Sequence, residues 1–146
     1  MIDSQILKKY SIFNGLEEEQ IENIFQLMEE EKYDPEELII TEGKTNDKIF
    51  FLIEGLVAVT KNGVLLTRFG EGEAFGEMEI LDVMPAAASI KSLSPVKLLS
   101  ISNKALREIY KMDIKSFSLI IMNLARSLSR RLRKMDEKLA SSPILI

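Results

Sequence analysis

Residues 69–91 read FGEGEAFGEMEILDVMPAAASIK, and the reading of this stretch decides the fold of the chain around it. Gly70, Gly72 and Gly76 crowd against an apolar run, with Gly63 just upstream. A lone carboxylate, Glu77, follows an aromatic-glycine pair and precedes a methionine, and Pro85 is followed by three alanines. Glycine beside apolar residues marks backbone that bends sharply or lets another group approach closely. The stretch is a candidate ligand cradle.

On both sides of it the texture is short apolar runs punctuated by glycine: YDPEELIITEG (33–43), IFFLIEG (49–55), VAVT (57–60), VLLTRFG (64–70) and SIKSLSPVKLLSIS (89–102). Asn62-Gly63 between two such runs is a hairpin signal, because both residues tolerate the positive φ of a two-residue turn. Short strands at this spacing indicate an antiparallel sandwich or barrel, with Gly43, Gly55 and Gly70 at its corners. The outer segments change period. Asp3–Tyr10 and Glu17–Glu30 read as amphipathic helices separated by a turn at Asn14-Gly15, the second with Ile21, Ile24, Phe25 and Met28 toward a core. Lys104–Tyr110 reads as a short helix and Asp113 to about Ala140 as a long one. The long helix has apolar residues at Ile114, Phe117, Ile121, Leu124, Leu128, Leu132, Met135 and Leu139. At roughly 39 Å it outreaches the body of a small sandwich, so part of its stripe is expected to meet a second copy. Pro143 is expected to end it, with the tail Ile144–Ile146 disordered or packed on a neighbour.

A chain of 146 residues, 46% apolar and 29% charged, reads as one soluble domain able to bury its own core. No apolar run is long enough to span a bilayer and no signal peptide opens the chain, so a cytoplasmic location is expected. With no cysteine and no histidine, disulfides, thiol catalysis, the common zinc sites and Ser-His-Asp chemistry are excluded. A metal-dependent cupin enzyme fails on the same ground, and no catalytic residue, metal ligand or cofactor is assigned. Charge is uneven. Glu17–Glu37 holds ten acids and one base, Lys32, while Arg126–Lys138 holds six bases and two acids. The acidic run is read as a solvated helical face, and so is the basic cluster, with Arg131 reaching the sandwich. Met78, Met84, Met112, Met122 and Met135 are read as packing residues.

The stretch resembles the cyclic nucleotide-binding domains of bacterial regulators, kinases and channels. Phe75-Gly76-Glu77-Met78 and Pro85-Ala86-Ala87-Ala88-Ser89 fall at that family's spacing, and Phe13 and Leu16 in SIFNGL resemble its helical entry. The resemblance implies an α+β, mainly β chain: an antiparallel jelly roll flanked by N-terminal helices and a long C-terminal helix. The single domain then divides into residues 1–30, 31–102 with a phosphate-binding segment at 75–89, and 104–140. It further implies that Glu77 accepts a hydrogen bond from a ribose hydroxyl and that backbone N–H groups nearby, including those of Ala86 and Ala87, face the phosphate of cyclic AMP or cyclic GMP. Ala86 stands where the family has a phosphate-pairing arginine, and Glu79 where it has a small residue. Loss of one charge-assisted contact lowers affinity about ten- to a hundred-fold, and Lys91 and Arg68 are the candidate substitutes. On the long helix, Arg130-Arg131-Leu132 resembles the dimer helix of the catabolite-activator branch, which places Met135 and Asp136 where that branch contacts the base.

The expected ligand-binding set is therefore Phe75, Gly76, Glu77, Met78, Ala86, Ala87, Ser89, Arg131, Met135 and Asp136. The resemblance implies a non-catalytic sensor or regulatory module that dimerises through the C-terminal helix and acts on a partner protein, without DNA or membrane binding of its own. The alternative is an interaction module that kept the fold and lost the ligand. Opening on Met1 and lacking a linker-like tail, the chain is expected to be complete.

Overall fold

The computed structural model describes residues 2–142 and Ile144; Pro143, Leu145 and Ile146, and with them the expected helix stop and most of the tail, lie outside the described residues. Eight strands form two antiparallel four-stranded sheets. The strands are β1 (Glu29–Tyr33), β2 (Leu38–Ile40), β3 (Lys48–Glu54), β4 (Val57–Lys61), β5 (Val64–Phe69), β6 (Ala74–Phe75), β7 (Ser89–Ser92) and β8 (Val96–Ser102). One sheet has the order β1-β8-β3-β6, the other β2-β7-β4-β5. The helices are α1 (Glu18–Phe25), α2 (Glu77–Asp82), α3 (Asn103–Met112) and α4 (Ile114–Ala140).

The period-two alternation of β3 and β8 builds two cores at once. Ile49 and Phe51, with Leu99 and Ile101, point to a layer of helices and pack with Leu7, Phe13, Ile24, Ile109, Ile120 and Leu124. Phe50 and Leu52, with Val96 and Leu98, point the other way, into the space between the sheets, and meet Val57, Val59, Phe75 and Ile90. Both faces of the central pair are thus covered, which is why these strands read as near-continuous apolar runs. The hairpin signal is realised as a turn between β4 and β5, with Asn62 at φ 51° and Gly63 at φ 78°.

Two expected helices are corrected. Asp3–Tyr10 is not an α-helix: Ser4–Lys9 and Ser11–Phe13 are 3-10 helices. The tighter winding brings Leu7, Tyr10, Ile12 and Phe13 all onto the core from a short segment, with the Tyr10 hydroxyl donating to Leu52 O at 2.6 Å. The helix expected over Glu17–Glu30 stops at Phe25, and Glu29–Tyr33 is strand β1. β1 is a sheet edge, and its run of charges leaves that edge unattractive to a further strand. Glu29, Glu30 and Glu31 of the acidic run are therefore edge strand rather than helix face. The five methionines assigned to packing are all exposed. They lie on outward faces of α2, α3, α4 and the loop after α2.

At Gly55, where the chain crosses from one sheet to the other, φ is +103° and an added Cβ would lie 2.4 Å from Pro95 O and 2.9 Å from Val96 Cγ2. Both the dihedral and the backbone neighbour exclude a side chain. Gly55→Ala is expected to lower the unfolding free energy by about 2–3 kcal/mol, read from the urea midpoint at unchanged slope.

Candidate functional site

The site grows from the end of β6. Phe75 is buried, stacked on Phe50 at 5.2 Å between ring centroids and on Phe69 at 6.1 Å. The chain must then turn under β3, and Gly76 does so at φ +89°, where a Cβ would lie 2.6 Å from Lys48 O. Only glycine lets the backbone pass so close. Asn46 locks the turn from the neighbouring loop, its amide donating to Lys48 O at 2.9 Å and to Gly76 O at 3.2 Å. Helix α2 begins at the next residue, and its first N–H groups have no intrahelical partners.

That next residue is Glu77, only 4% exposed. A buried carboxylate needs a cation and hydrogen bonds. Arg131, from the far half of α4, ion-pairs with Glu77 Oε1 and donates from its second terminal nitrogen to Ala74 O at 2.7 Å. Its guanidinium also sits 5.1 Å over the Phe69 ring, a favourable cation–π placement. Two planar donors and a ring face fix the side chain in one pose. The long helix is thereby tied to the glycine-rich segment at one point.

Glu79, two residues further along α2, accepts from the Asn46 amide at 3.4 Å. Burial pushes its carboxyl above the usual carboxylate range, opposed by the Asn46 bond and assisted by the charges of Glu77 and Asp82. Negative charge is therefore concentrated on this short helix.

The structure brings together Phe75, Gly76, Glu77 and Arg131 from the expected set. Met78 is exposed on the outer face of α2. Ala86 is buried in the inter-sheet core, and its N–H donates to Lys44 O at 2.8 Å, so that N–H is already committed rather than open to an anion. Ala87 is exposed and its N–H has no partner among the described residues; Ser89 Oγ accepts from Glu42 N at 2.9 Å. Met135 and Asp136 lie exposed on α4 beyond Arg131, without a hydrogen bond or ion pair among the described residues. Of the suggested substitute cations, Lys91 pairs with Glu36 at 2.8 Å and Arg68 is exposed on edge strand β5. Lys61 bonds the Pro85–Ser89 loop, its Nζ donating to Ala87 O at 2.6 Å. Sequence reading missed Lys61, Asn46 and Phe69, because each meets the site through the fold and not through a local motif.

A family model described as "Cyclic nucleotide-binding domain" matches residues 30–113. The chain is 33% identical over 98 residues to the cAMP-dependent protein kinase regulatory subunit of Yarrowia lipolytica, covering 67% of this chain and 26% of that one. It is 28% identical over 141 residues to the CRP-like cAMP-activated global transcriptional regulator of Mycobacterium tuberculosis, covering 93% of this chain and 61% of the relative. The crystal structure of a cyclic nucleotide-binding domain from Methylobacillus flagellatus superposes with a TM-score of 0.85 over 97% of this chain and 83% of that one, at 22% identity, a likeness of fold. The chain thus spans between about a quarter and three-fifths of the length of these curated relatives.

Three substitutions test the geometry. Arg131→Ala strands the Glu77 carboxylate in the interior and is expected to cost about 2–4 kcal/mol in urea unfolding, a loss that Glu77→Gln in the same chain partly restores. Glu79 binds a proton more readily in the folded than in the unfolded chain, so it lowers stability at neutral pH, and the loss fades as pH falls through its folded pKa. Glu79→Gln is expected to be the more stable chain at pH 7 and to match the parent once Glu79 is protonated in both the folded and the unfolded chain, in unfolding curves taken from pH 7 down to below about pH 4.

Proposed function

The chain belongs to the cyclic nucleotide-binding domain family, and on that basis we propose that it is a non-catalytic, cytoplasmic regulatory module that senses cyclic AMP or cyclic GMP. Glu77 receives the ribose hydroxyl, the free N–H groups at the start of α2 and at Ala87 face the cyclic phosphate, and α4 carries the response. The observation that carries this reading is the buried Glu77 carboxylate, set by the Gly76 turn and held by an arginine from the helix that leaves the domain. A ligand that bonds Glu77 competes directly with Arg131, so occupancy and the placement of α4 are linked. The output passes through α4, whose outward apolar residues join two copies, to a partner protein.

Affinity is set low by the missing arginine. Lys61, bonded to the loop at Ala87 O, supplies part of the lost charge in this reading. A second reading, a module that retains the fold for protein contacts alone, is favoured by one observation: Ala86 is packed into the core with its N–H spent on Lys44.

Calorimetric titration and thermal unfolding separate the two. A cyclic nucleotide at a hundred times its Kd should add about 2.7 kcal/mol of stability. No response to either nucleotide at millimolar concentration favours the second reading. Ala86→Arg is expected to tighten binding about ten- to a hundred-fold while making the ligand-free chain less stable, since an unpaired guanidinium then enters an apolar cluster.

A further inference from the structure

Glu79 brings a half-buried carboxylate to the beginning of α2, beside the turn that sets Glu77. Helical side chains lean toward the start of their helix, and Asn46 fixes the direction here. Its Nδ2 lies 3.2 Å from Gly76 O, just before the helix, and 3.4 Å from Glu79 Oε1. The backbone N–H of residue 79 itself also supports the charged carboxylate, and in the first turn of a helix that N–H has no intrahelical partner. A side-chain anion therefore already stands at the end of α2 to which the sensor reading brings the cyclic phosphate.

This carboxylate is poorly satisfied. An amide has two N–H donors, and Asn46 divides them among Lys48 O at 2.9 Å, Gly76 O at 3.2 Å and Glu79 Oε1, the most distant of the three. Among the described residues no cation pairs with it: Lys48 of β3 is taken by Glu31 at 3.3 Å, and Arg131 of α4 by Glu77. Lys44 and Asp47, in the loop before β3, form no ion pair with it. Residues 83–88 carry no titratable group, and Lys61 of β4 bonds Ala87 O there. On its own helix Glu79 meets the like charges of Glu77 and Asp82. A second anion brought to the same N–H groups adds to that repulsion. Protonation removes the conflict, because the carboxyl loses its charge, releases the N–H of residue 79 and gains an O–H donor.

We propose that Glu79 makes the site proton-dependent: the cyclic nucleotide enters together with a proton that neutralises Glu79, so occupancy rises as the surroundings acidify. This deepens the sensor reading above and rests on it. The proton passes from solvent to a carboxyl oxygen, and no covalent bond to the ligand forms. Burial, with the charges of Glu77 and Asp82, already holds this carboxyl above the usual carboxylate range in the empty chain, and the bound anion raises it further. Affinity therefore climbs as pH falls through the pKa of the occupied chain and levels off below that of the empty one.

Calorimetric titration of the full chain with cyclic AMP and with cyclic GMP, at about pH 8 and about pH 5.5 in buffers of different ionisation heat, reads affinity and protons together. The parent is expected to bind about ten-fold more tightly at the acid end, with net proton uptake. Glu79→Gln is expected to take up no proton and to bind at the alkaline end about ten-fold more tightly than the parent, and Glu79→Ala to lose the pH dependence likewise. Parent affinity that is equal at both pH values, or a Glu79→Gln chain that keeps the parent's proton uptake, overturns the proposal and leaves the sensor reading standing. No binding of either nucleotide by the parent or by Glu79→Gln at either pH overturns both.

Discussion

Strands β3 and β8 are buried on both faces, and this constraint organises the molecule. Phe51 belongs to the helical layer and Phe50, the next residue, to the space between the sheets. A shift of one residue in their pairing would exchange the two sets, so the register that begins at Lys48 opposite Ser102 is held from both sides. The same strand supplies Lys48 O beneath Gly76 and, further along, Leu52 O bonded to the Tyr10 hydroxyl. Packing of the body therefore fixes the turn that buries Glu77.

Given that turn, the chemistry at Glu77 follows from solvation. A carboxylate cannot be taken from water unless its charge is answered, and the answer comes from 54 residues further along the chain, in Arg131. Such a pair contributes less net stability than its geometry suggests, because both ions lose hydration. Its value is positional. It ties the glycine-rich segment to the far half of α4.

The parts of this arrangement governed by local chemistry were legible in the sequence. Asn62-Gly63 marked a hairpin because positive φ is costly for most residues, and Phe75-Gly76-Glu77 marked a sharp turn for the same reason. The long helix was evident from its spacing, and Arg131 was placed against the sandwich. What was not legible depended on competition between distant segments. Glu29–Glu31 look helical beside α1, yet β8 offers them a partner strand. Ser4–Lys9 has an amphipathic spacing that the neighbouring core tightens into 3-10 turns. Nothing in the local sequence shows that the Ala86 N–H is taken by Lys44 O or that Lys61 reaches the next carbonyl.

Asn123 gives α4 an uneven attachment. Its amide donates to Ile12 O at 2.9 Å and Asn14 O at 3.0 Å, pinning the near half of the helix to the N-terminal segment. Beyond that peg, the described side-chain bonds to the body come from Arg131 alone, to Glu77 and to Ala74 O. The helix is a lever, with its fulcrum at Asn123 and a single latch about 12 Å away. Ala140 lies about 25 Å from the fulcrum, so a tilt of about 10° on opening the latch would swing it through about 4 Å, turning the loss of one ion pair into a displacement comparable to a side chain.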